Sequence, residues 1–346
     1  MADEFVVAVT GVSGFLGQRL LPLLDASPHV DRVIGLDIRD PARRARKLEF
    51  HRVDVLGTDL VPYLRDASSV VHLAAATRPI PDDALFMRVN VDGTRRVLEA
   101  ASAAGVKKVV RPSSSAIYGA WANNPVPLTE DAPLRPSPSY LPAIVDAECE
   151  RLLAQWGAPA GRVATRLRIA PVVGGGADSI LNAAATRRAP ANVRVRGATP
   201  PVQVVHVDDA AAALELACEV DLDGAYNVAA DGWLSYEEAG AILAAPRVPA
   251  LPMALAARAL STSWMTGLGD APPSLLPYLV HPFVVANDRL KSAGWKPRHS
   301  NEEALLLAGG VPDRRGWPWL AGAGAVTTGV AIGTWWLTRR ARRRRR

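Results

Sequence analysis

Residues 9–17 read Val-Thr-Gly-Val-Ser-Gly-Phe-Leu-Gly (VTGVSGFLG), and their reading decides the fold. They follow an apolar run, Phe5 to Val9, that reads as a strand, and lead into Phe15 to Leu24, where apolar residues recur at helical spacing. Gly11, Gly14 and Gly17 stand three residues apart. Gly11 permits a tight turn, Gly14 lets backbone approach a pyrophosphate, and Gly17 lets the helix pack on the strand. The helix N-terminus adds N–H donors and positive dipole. This strand–loop–helix predicts a dinucleotide cradle, with Ser13, Phe15 and Leu16 as further contacts. Asp37 ends the next apolar run, 20 residues after Gly17. A carboxylate there accepts the adenosine ribose hydroxyls and repels a 2′-phosphate, which favours NAD over NADP. Arg39, Arg43 and Arg44 follow closely and are the residue type that accommodates that phosphate.

Outward from this point, short apolar strands alternate with helices, the pattern of a parallel α/β sheet. Strands are expected at Arg32–Leu36, 47–53, 69–73, Val106–Arg111 and Val163–Ile169, with helices at Asp82–Ala104 and Pro142–Gln155. Pro142 suits a first helical turn, where a missing N–H costs little. Later, VQVVHVDDAAAALELA at 202–217 reads as a strand and a helix begun by Asp208 or Asp209. GGGADS at 174–179 reads as a loop. Residues 249–285 are apolar and punctuated by proline; they suit a substrate pocket, a membrane contact, or ordinary core helices.

The 346 residues are 49% hydrophobic and 21% charged, a globular composition with a sizeable core. The two cysteines, Cys149 and Cys218, lack metal-ligand spacing, so neither a disulfide framework nor a metal site is expected. The acidic start, MADEFVVAVTG, is not a signal peptide. Seven arginines crowd residues 339–346; without them the chain carries −1 in place of +6. A near-neutral globular part gives nucleic-acid binding no electrostatic footing.

The chain resembles the extended short-chain dehydrogenase/reductases of the NAD-dependent epimerase/dehydratase family, over about residues 5–305. Besides Thr10-Gly11-x-x-Gly14-x-x-Gly17, the likeness rests on Asp54-Val55, Val70-Val71-His72-Leu73-Ala74-Ala75, and Asn90 in Asn-Val-Asp-Gly-Thr. It continues in Ser113-Ser114-Ser115-Ala116-Ile117-Tyr118-Gly119, Val205-His206-Val207-Asp208-Asp209 and Tyr226-Asn227-Val228. The resemblance implies a doubly wound Rossmann-type sheet with a smaller substrate part. The cofactor part is expected at about 1–170 and 203–230, the substrate part at about 171–202 and 231–312. It also implies an adenine contact at Asp54-Val55, cofactor contacts at Leu73, Ala74, Ala75 and Asn90, Ser114 as catalytic serine, and a homodimer by default. His72 and His206 are expected to be structural, whereas Tyr118 either shapes the pocket or fills it.

The family's Tyr-x-x-x-Lys, with a glutamate four residues on, would fall on Tyr140, position 144 and Glu148; position 144 is Ile144. A free tyrosine, with a pKa of about 10, is a poor base at neutral pH. A lysine at about 4 Å and effective dielectric of about 20 contributes about 4 kcal/mol, or about three pK units. Three readings stay open. Tyr140 acts with help from the nicotinamide or from Arg78, Arg111 or Arg168; it serves the reducing direction as a protonated donor; or the domain is a non-catalytic NAD-binding sensor or scaffold. The serine, tyrosine and glycine loop favour an enzyme. Pro200-Pro201-Val202-Gln203 lacks the arginine that clamps a nucleotide-sugar diphosphate in the family, unless Arg194 or Arg196 substitutes. A smaller or apolar hydroxyl or keto substrate is therefore expected, with a sterol-type substrate as the runner-up.

Residues 317–337 are 21 uncharged residues with Trp317, Trp319, Trp335 and Trp336 at the ends. They have the length and interfacial aromatics of a membrane-inserted or spanning helix. Gly329 and Gly333 match a helix-pairing spacing. The arginine-rich tail at 338–346 suits anionic lipid headgroups. The expectation is membrane attachment through 317–346, with residues 1–312 on the cytoplasmic side.

Overall fold

A computed structural model of the chain describes residues 5–77, 82–175, 193–243, 248–266 and 271–308. Strands β1 (Val6–Thr10), β2 (Arg32–Asp37), β3 (Leu48–Arg52), β4 (Ser69–His72), β5 (Lys108–Ser114) and β6 (Val163–Ile169) follow in chain order. A pair of two-residue strands, β7 (Val172–Val173) and β8 (Val205–His206), lies apart from the main sheet, and β9 (Gly224–Val228) returns to it. The seven-stranded sheet is parallel, in the order β3-β2-β1-β4-β5-β6-β9. Val7 pairs with Val33 on one side and Ser69 on the other. Every residue of β1 is buried, as a strand covered on both faces requires.

Helices α1 (Gly17–Ala26) and α6 (Val207–Glu219) cover one face, where Leu20, Leu24, Leu214 and Ala217 meet Val7 and Val9. On the other face α4 (Gly93–Ala103) and α5 (Leu141–Gly157) bring Val97, Ala101 and Leu153 against Val6, Ala8 and Val70. The short α2 (Val61–Leu64) seals the edge of that layer through Leu64. The remaining helices are α3 (Asp83–Met87), α7 (Tyr236–Ile242), α8 (Met253–Met265), α9 (Asp288–Ser292) and α10 (Asn301–Ala308).

Local structure departs from expectation at three points. The helix expected over Asp82–Ala104 is divided into α3 and α4 by a π-helical turn, Arg88–Asp92. Inside that turn the Asn90 amide accepts the Ala76 N–H at 3.0 Å and donates to Phe86 O at 3.0 Å, so the widened turn serves a contact outside the helix. Strand β5 begins at Lys108, later than Val106, because Gly105 turns at φ 80° and Val106 N–H still closes onto Ala101 O. Helix α6 is capped by His206, whose Nδ1 accepts the Asp208 N–H at 3.3 Å, in place of Asp208 or Asp209. Asp209 is buried, and its carboxylate accepts the N–H groups of Arg298 and His299 at 3.0 Å each.

Contacts divide the chain into Met1–Pro312 and Asp313–Arg346. The expected membrane helix at 317–337 and the tail at 338–346 lie outside the described residues, as do Arg78 and most of the 174–179 loop. Among the described residues no helix is long and apolar enough to cross a membrane, and no cluster of side chains could hold a metal ion.

Several charged side chains are enclosed. Arg168, from β6, pairs with Glu150, from α5, at 2.8 Å; their side chains are 7% and 3% exposed. Arg168 Nη1 also donates to the Tyr118 hydroxyl (2.8 Å) and to Glu130 O (3.1 Å), and Tyr118 donates to Asn227 Oδ1 (2.9 Å). Tyr118 thus fills the interior. Removing one partner leaves a buried charge uncompensated. Glu150→Ala should therefore cost about 3–5 kcal/mol in denaturant unfolding, whereas Arg151→Ala, which breaks the exposed Arg151–Glu148 pair, should change stability by less than about 1 kcal/mol.

His72 is packed, as expected: Nδ1 meets Thr10 Oγ1 at 2.8 Å and Nε2 meets Thr94 Oγ1 at 3.1 Å. Burial, then the nearby Arg111 charge, lower its pKa to about 3. The unfolded imidazole takes up its proton first, so His72's contribution is complete above about pH 6.5 and is lost as pH falls toward 3. His72→Gln should flatten the acid limb of the stability–pH curve between those values. An unchanged limb would show that other groups govern acid unfolding.

Candidate active site

Strand order reverses between β1 and β4, so the chain leaves their C-terminal ends toward opposite faces and opens a crevice there. A cavity of about 2210 Å³ occupies this place, larger than one small ligand requires. The glycine loop forms one end. Gly11 turns at φ 72°, and its N–H donates to Leu36 O at 2.7 Å. A Cβ on Gly11 would lie 2.6 Å from Ala74 N, and one on Gly17 2.4 Å from Val12 O. The glycines are therefore required by backbone packing, and the loop presents main chain to the cavity. Ser13, Gly14, Phe15, Leu16 and Gly17 line it.

Asp37 sits at the end of β2, only 7% exposed. Its carboxylate accepts Ser13 N–H at 2.9 Å and Arg39 N–H at 3.0 Å, and Ser13 Oγ donates to Arg39 O at 2.7 Å. These bonds tie the loop after β2 to the glycine loop, while each carboxylate oxygen keeps further accepting capacity. Asp37 is not itself among the lining residues; Arg39, Arg43 and Arg44 line the cavity beside it. Leu73, Ala75 and Asn90 line the cavity beyond it. Ala74 lies behind, its N–H donating to Thr10 Oγ1 at 3.3 Å. Asp54 and Val55 are not among the lining residues: Asp54 Oδ1 accepts Leu56 N–H in a turn, and Val55 joins the core under α4. The glycine cradle and the neighbouring carboxylate suit the pyrophosphate and ribose of a dinucleotide.

The far end is built by β5 and α5. Ser114 ends β5 and lines the cavity; its Oγ accepts Ala116 N–H at 3.1 Å, which leaves its O–H free to donate. Tyr140 immediately precedes α5 and also lines the cavity, its ring centroid 5.1 Å from that of Tyr278. Burial, with a smaller push from Asp146, raises the phenol to about 12. It is a hydrogen-bond donor at neutral pH.

The helical register differs from the motif's expected placement. Because Tyr140 lies before the helix, the cavity-facing positions of α5 are Pro142, Val145 and Asp146, and Ile144 is not among them. Glu148 faces outward to Arg151, while Glu150 is the buried glutamate, paired with Arg168. The four-residue spacing on the cavity face thus falls on Pro142 and Asp146. Asp146 is held by Arg111, whose Nη1 and Nη2 both donate to Oδ1 at 3.2 Å. Sequence reading did not single out Asp146. The available signal was Arg111 itself, a charge inside a buried parallel strand, which demands an internal carboxylate. Of the other helper arginines, Arg168 is committed to Glu150 and Tyr118.

Apolar side chains from the second half wall the substrate end: Leu260 and Trp264 of α8, then Leu275, Tyr278 and Phe283. The 249–285 stretch is therefore in good part cavity wall. Gln203 lines the cavity with its amide donating to Gly232 O at 2.9 Å and Val285 O at 3.0 Å. Exposed Arg194 also lines the cavity, over the Tyr236 ring at 5.7 Å. His206 remains a structural residue, its ring 4.1 Å from that of His299.

The NAD dependent epimerase/dehydratase family model matches residues 7–229. An uncharacterized protein of Mycobacterium tuberculosis (strain ATCC 25618 / H37Rv) is 32% identical over 254 residues, covering 70% of this chain and 66% of the relative. The match thus spans just under two thirds of that relative's length. A 3-diazoavenalumate denitrifying reductase from Streptomyces sp is 31% identical over 318 residues, covering 85% of this chain and 96% of the reductase. The structure of the Thermus thermophilus UDP-glucose 4-epimerase in complex with NAD superposes with a TM-score of 0.68 at 26% identity, covering 89% of this chain and 98% of the epimerase. On the family match and the near full-length likeness to the reductase, the chain belongs to the NAD-dependent epimerase/dehydratase family.

Proposed function

We propose that this protein is an NAD-dependent enzyme that acts on a hydroxyl or keto group of a small molecule other than a nucleotide sugar. The observation that carries the reading is a single cavity running from the glycine loop to Ser114 and Tyr140, closed by an apolar wall. NAD is the cofactor. The Gly11–Gly17 loop would hold its pyrophosphate, Asp37 its adenosine ribose, and Leu73, Ala75 and Asn90 would flank it. When bound, the nicotinamide supplies or accepts hydride. Ser114 and Tyr140 then act as paired donors to the substrate oxygen, where they stabilise the charge that develops there. A phenol raised to about 12 suits the reducing direction, where a protonated donor is the useful form. The likeness to a reductase supports that direction.

The lack of an arginine at residues 200–203 argues against a nucleotide sugar, although Arg194 lines the cavity over the Tyr236 ring. The wall of Leu260, Trp264, Leu275 and Phe283 suits an apolar substrate, with sterols as one class to screen. A second reading, a non-catalytic NAD-binding sensor or scaffold, is favoured by the lack of a lysine one turn after Tyr140. Membrane attachment through 317–346 belongs to the proposal on the strength of the sequence alone, with the NAD-binding part on the cytoplasmic side.

Titrating the protein with NAD, NADH, NADP and NADPH by calorimetry tests the foundation. NAD and NADH should bind more tightly than the phosphorylated pair. Gly11→Ala should weaken NAD binding about tenfold or more, since a side chain at positive φ costs about 1–3 kcal/mol and 1.4 kcal/mol is a factor of ten. Failure to bind any dinucleotide at millimolar concentration would end both readings. With a turned-over ketone in hand, Tyr140→Phe should lower the rate by about 10²–10³, the usual loss for one such donor. Unchanged turnover would remove Tyr140 from the mechanism. Truncation after Pro312 should release the protein from the membrane fraction; retention there would move the anchor into residues 1–312.

A further inference from the structure

The family's proton-transfer apparatus needs a cation beside the tyrosine, and this cavity has none one turn after Tyr140. Two enclosed charges stand nearby instead. Arg111 enters from β5 with its side chain 6% exposed, and Asp146 meets it from α5 with a quarter of its side chain open. Both line the cavity together with Ser114 and Tyr140. The two Arg111 contacts fall on Oδ1 alone, and Nη1 also donates to Pro112 O at 3.0 Å, which fixes the guanidinium. Among the described residues, Oδ2 of Asp146 accepts no hydrogen bond. A carboxylate anchored through one oxygen on the wall of a ligand cavity has the geometry of a general acid–base.

We propose that Asp146 is the proton-transfer group of this cavity and Arg111 the positioning residue that holds it, with Tyr140 and Ser114 serving only as donors to the substrate oxygen. The assignment rests on the NAD-dependent reading above. In reduction, a bound reduced nicotinamide would supply hydride to the carbonyl carbon, and the Asp146 carboxyl would give its proton to the carbonyl oxygen. The carboxylate left behind stays paired with Arg111 and is reprotonated from water. In oxidation, Asp146 would take the alcohol O–H proton while the C–H bond breaks, and a bound oxidised nicotinamide would accept the hydrogen with its electron pair. Burial raises the Asp146 pKa and Arg111 pulls it partly back. The other titratable groups around it are Glu150 and Cys149 on α5, Tyr140 before the helix, and His72 beyond Arg111 on β4. Tyr140 and Cys149 are raised and His72 lowered, so all three are neutral at pH 7.

The test needs no substrate. NAD⁺ brings a positive ring into the cavity and NADH a neutral one, so NAD⁺ alone should drive a proton off Asp146 in mildly acidic solution. Calorimetry of the full chain from pH 5 to 8, in buffers of different ionisation enthalpy, counts the protons released. Wild type should release more with NAD⁺ than with NADH. Asp146→Asn should abolish that excess and lower the NAD⁺ to NADH affinity ratio about tenfold; Asp146→Glu and Tyr140→Phe should keep the excess. An equal excess in Asp146→Asn, or none in wild type that binds both nucleotides, would overturn the assignment. Absence of nucleotide binding in wild type would instead overturn the NAD-dependent reading, and this one with it.

Discussion

Backbone meets backbone at the end of β1 with no space for a side chain. Gly11 lies against the Leu73–Ala74 peptide and Gly17 against the Val12 carbonyl, so β1, β4 and α1 share one fixed junction. Close packing of this kind does not relax cheaply. The crevice at the strand reversal inherits its shape from it. Gly14 to Gly17, at the start of α1, line that crevice. The loop after β2 is drawn to the same junction by the Asp37 carboxylate, which makes that acid a structural tie as well as a ribose partner.

Electrostatic order in the interior follows a second rule: among the described residues, the two buried guanidiniums are each met by a carboxylate from the neighbouring helix. Arg168 meets Glu150, and Arg111 meets Asp146. Both carboxylates belong to α5, four residues apart, so one helix face neutralises two adjacent strands. The first pair is closed off by Tyr118 and Asn227 and is structural. The second lines the cavity, and that position is what sets it apart.

The fold and the glycine loop were legible in the sequence because their signals are local, whereas Asp54 and Val55 fell outside the cavity. Glycine spacing, a strand before and a helix after, and Asp37 at a strand end do not depend on distant contacts. The substrate end was less legible. Tyr140 and Glu148 stand eight residues apart, but so do Pro142 and Glu150. Only the tertiary structure shows that the second pair occupies the inward register, since Tyr140 is held before the helix by its N–H bond to Ser137 O. The π-helical turn at Arg88–Asp92 was invisible for a similar reason, as it exists to let Asn90 reach Ala76. The cap of α6 went to His206 because Asp209 is claimed by a segment about 90 residues away.

The cavity draws its two ends from separate parts of the chain. Its nucleotide end is backbone locked between sheet strands, and its reacting groups stand on β5 and α5, while its apolar wall is a set of side chains on α8 and the segment after it, outside the main sheet. A substitution at Trp264 or Leu275 reshapes the reaction chamber without disturbing the strand junction on which folding depends. Selection can therefore redraw what enters the chamber while leaving the nucleotide grip untouched, and a family built on this plan can diversify its substrates faster than its cofactor.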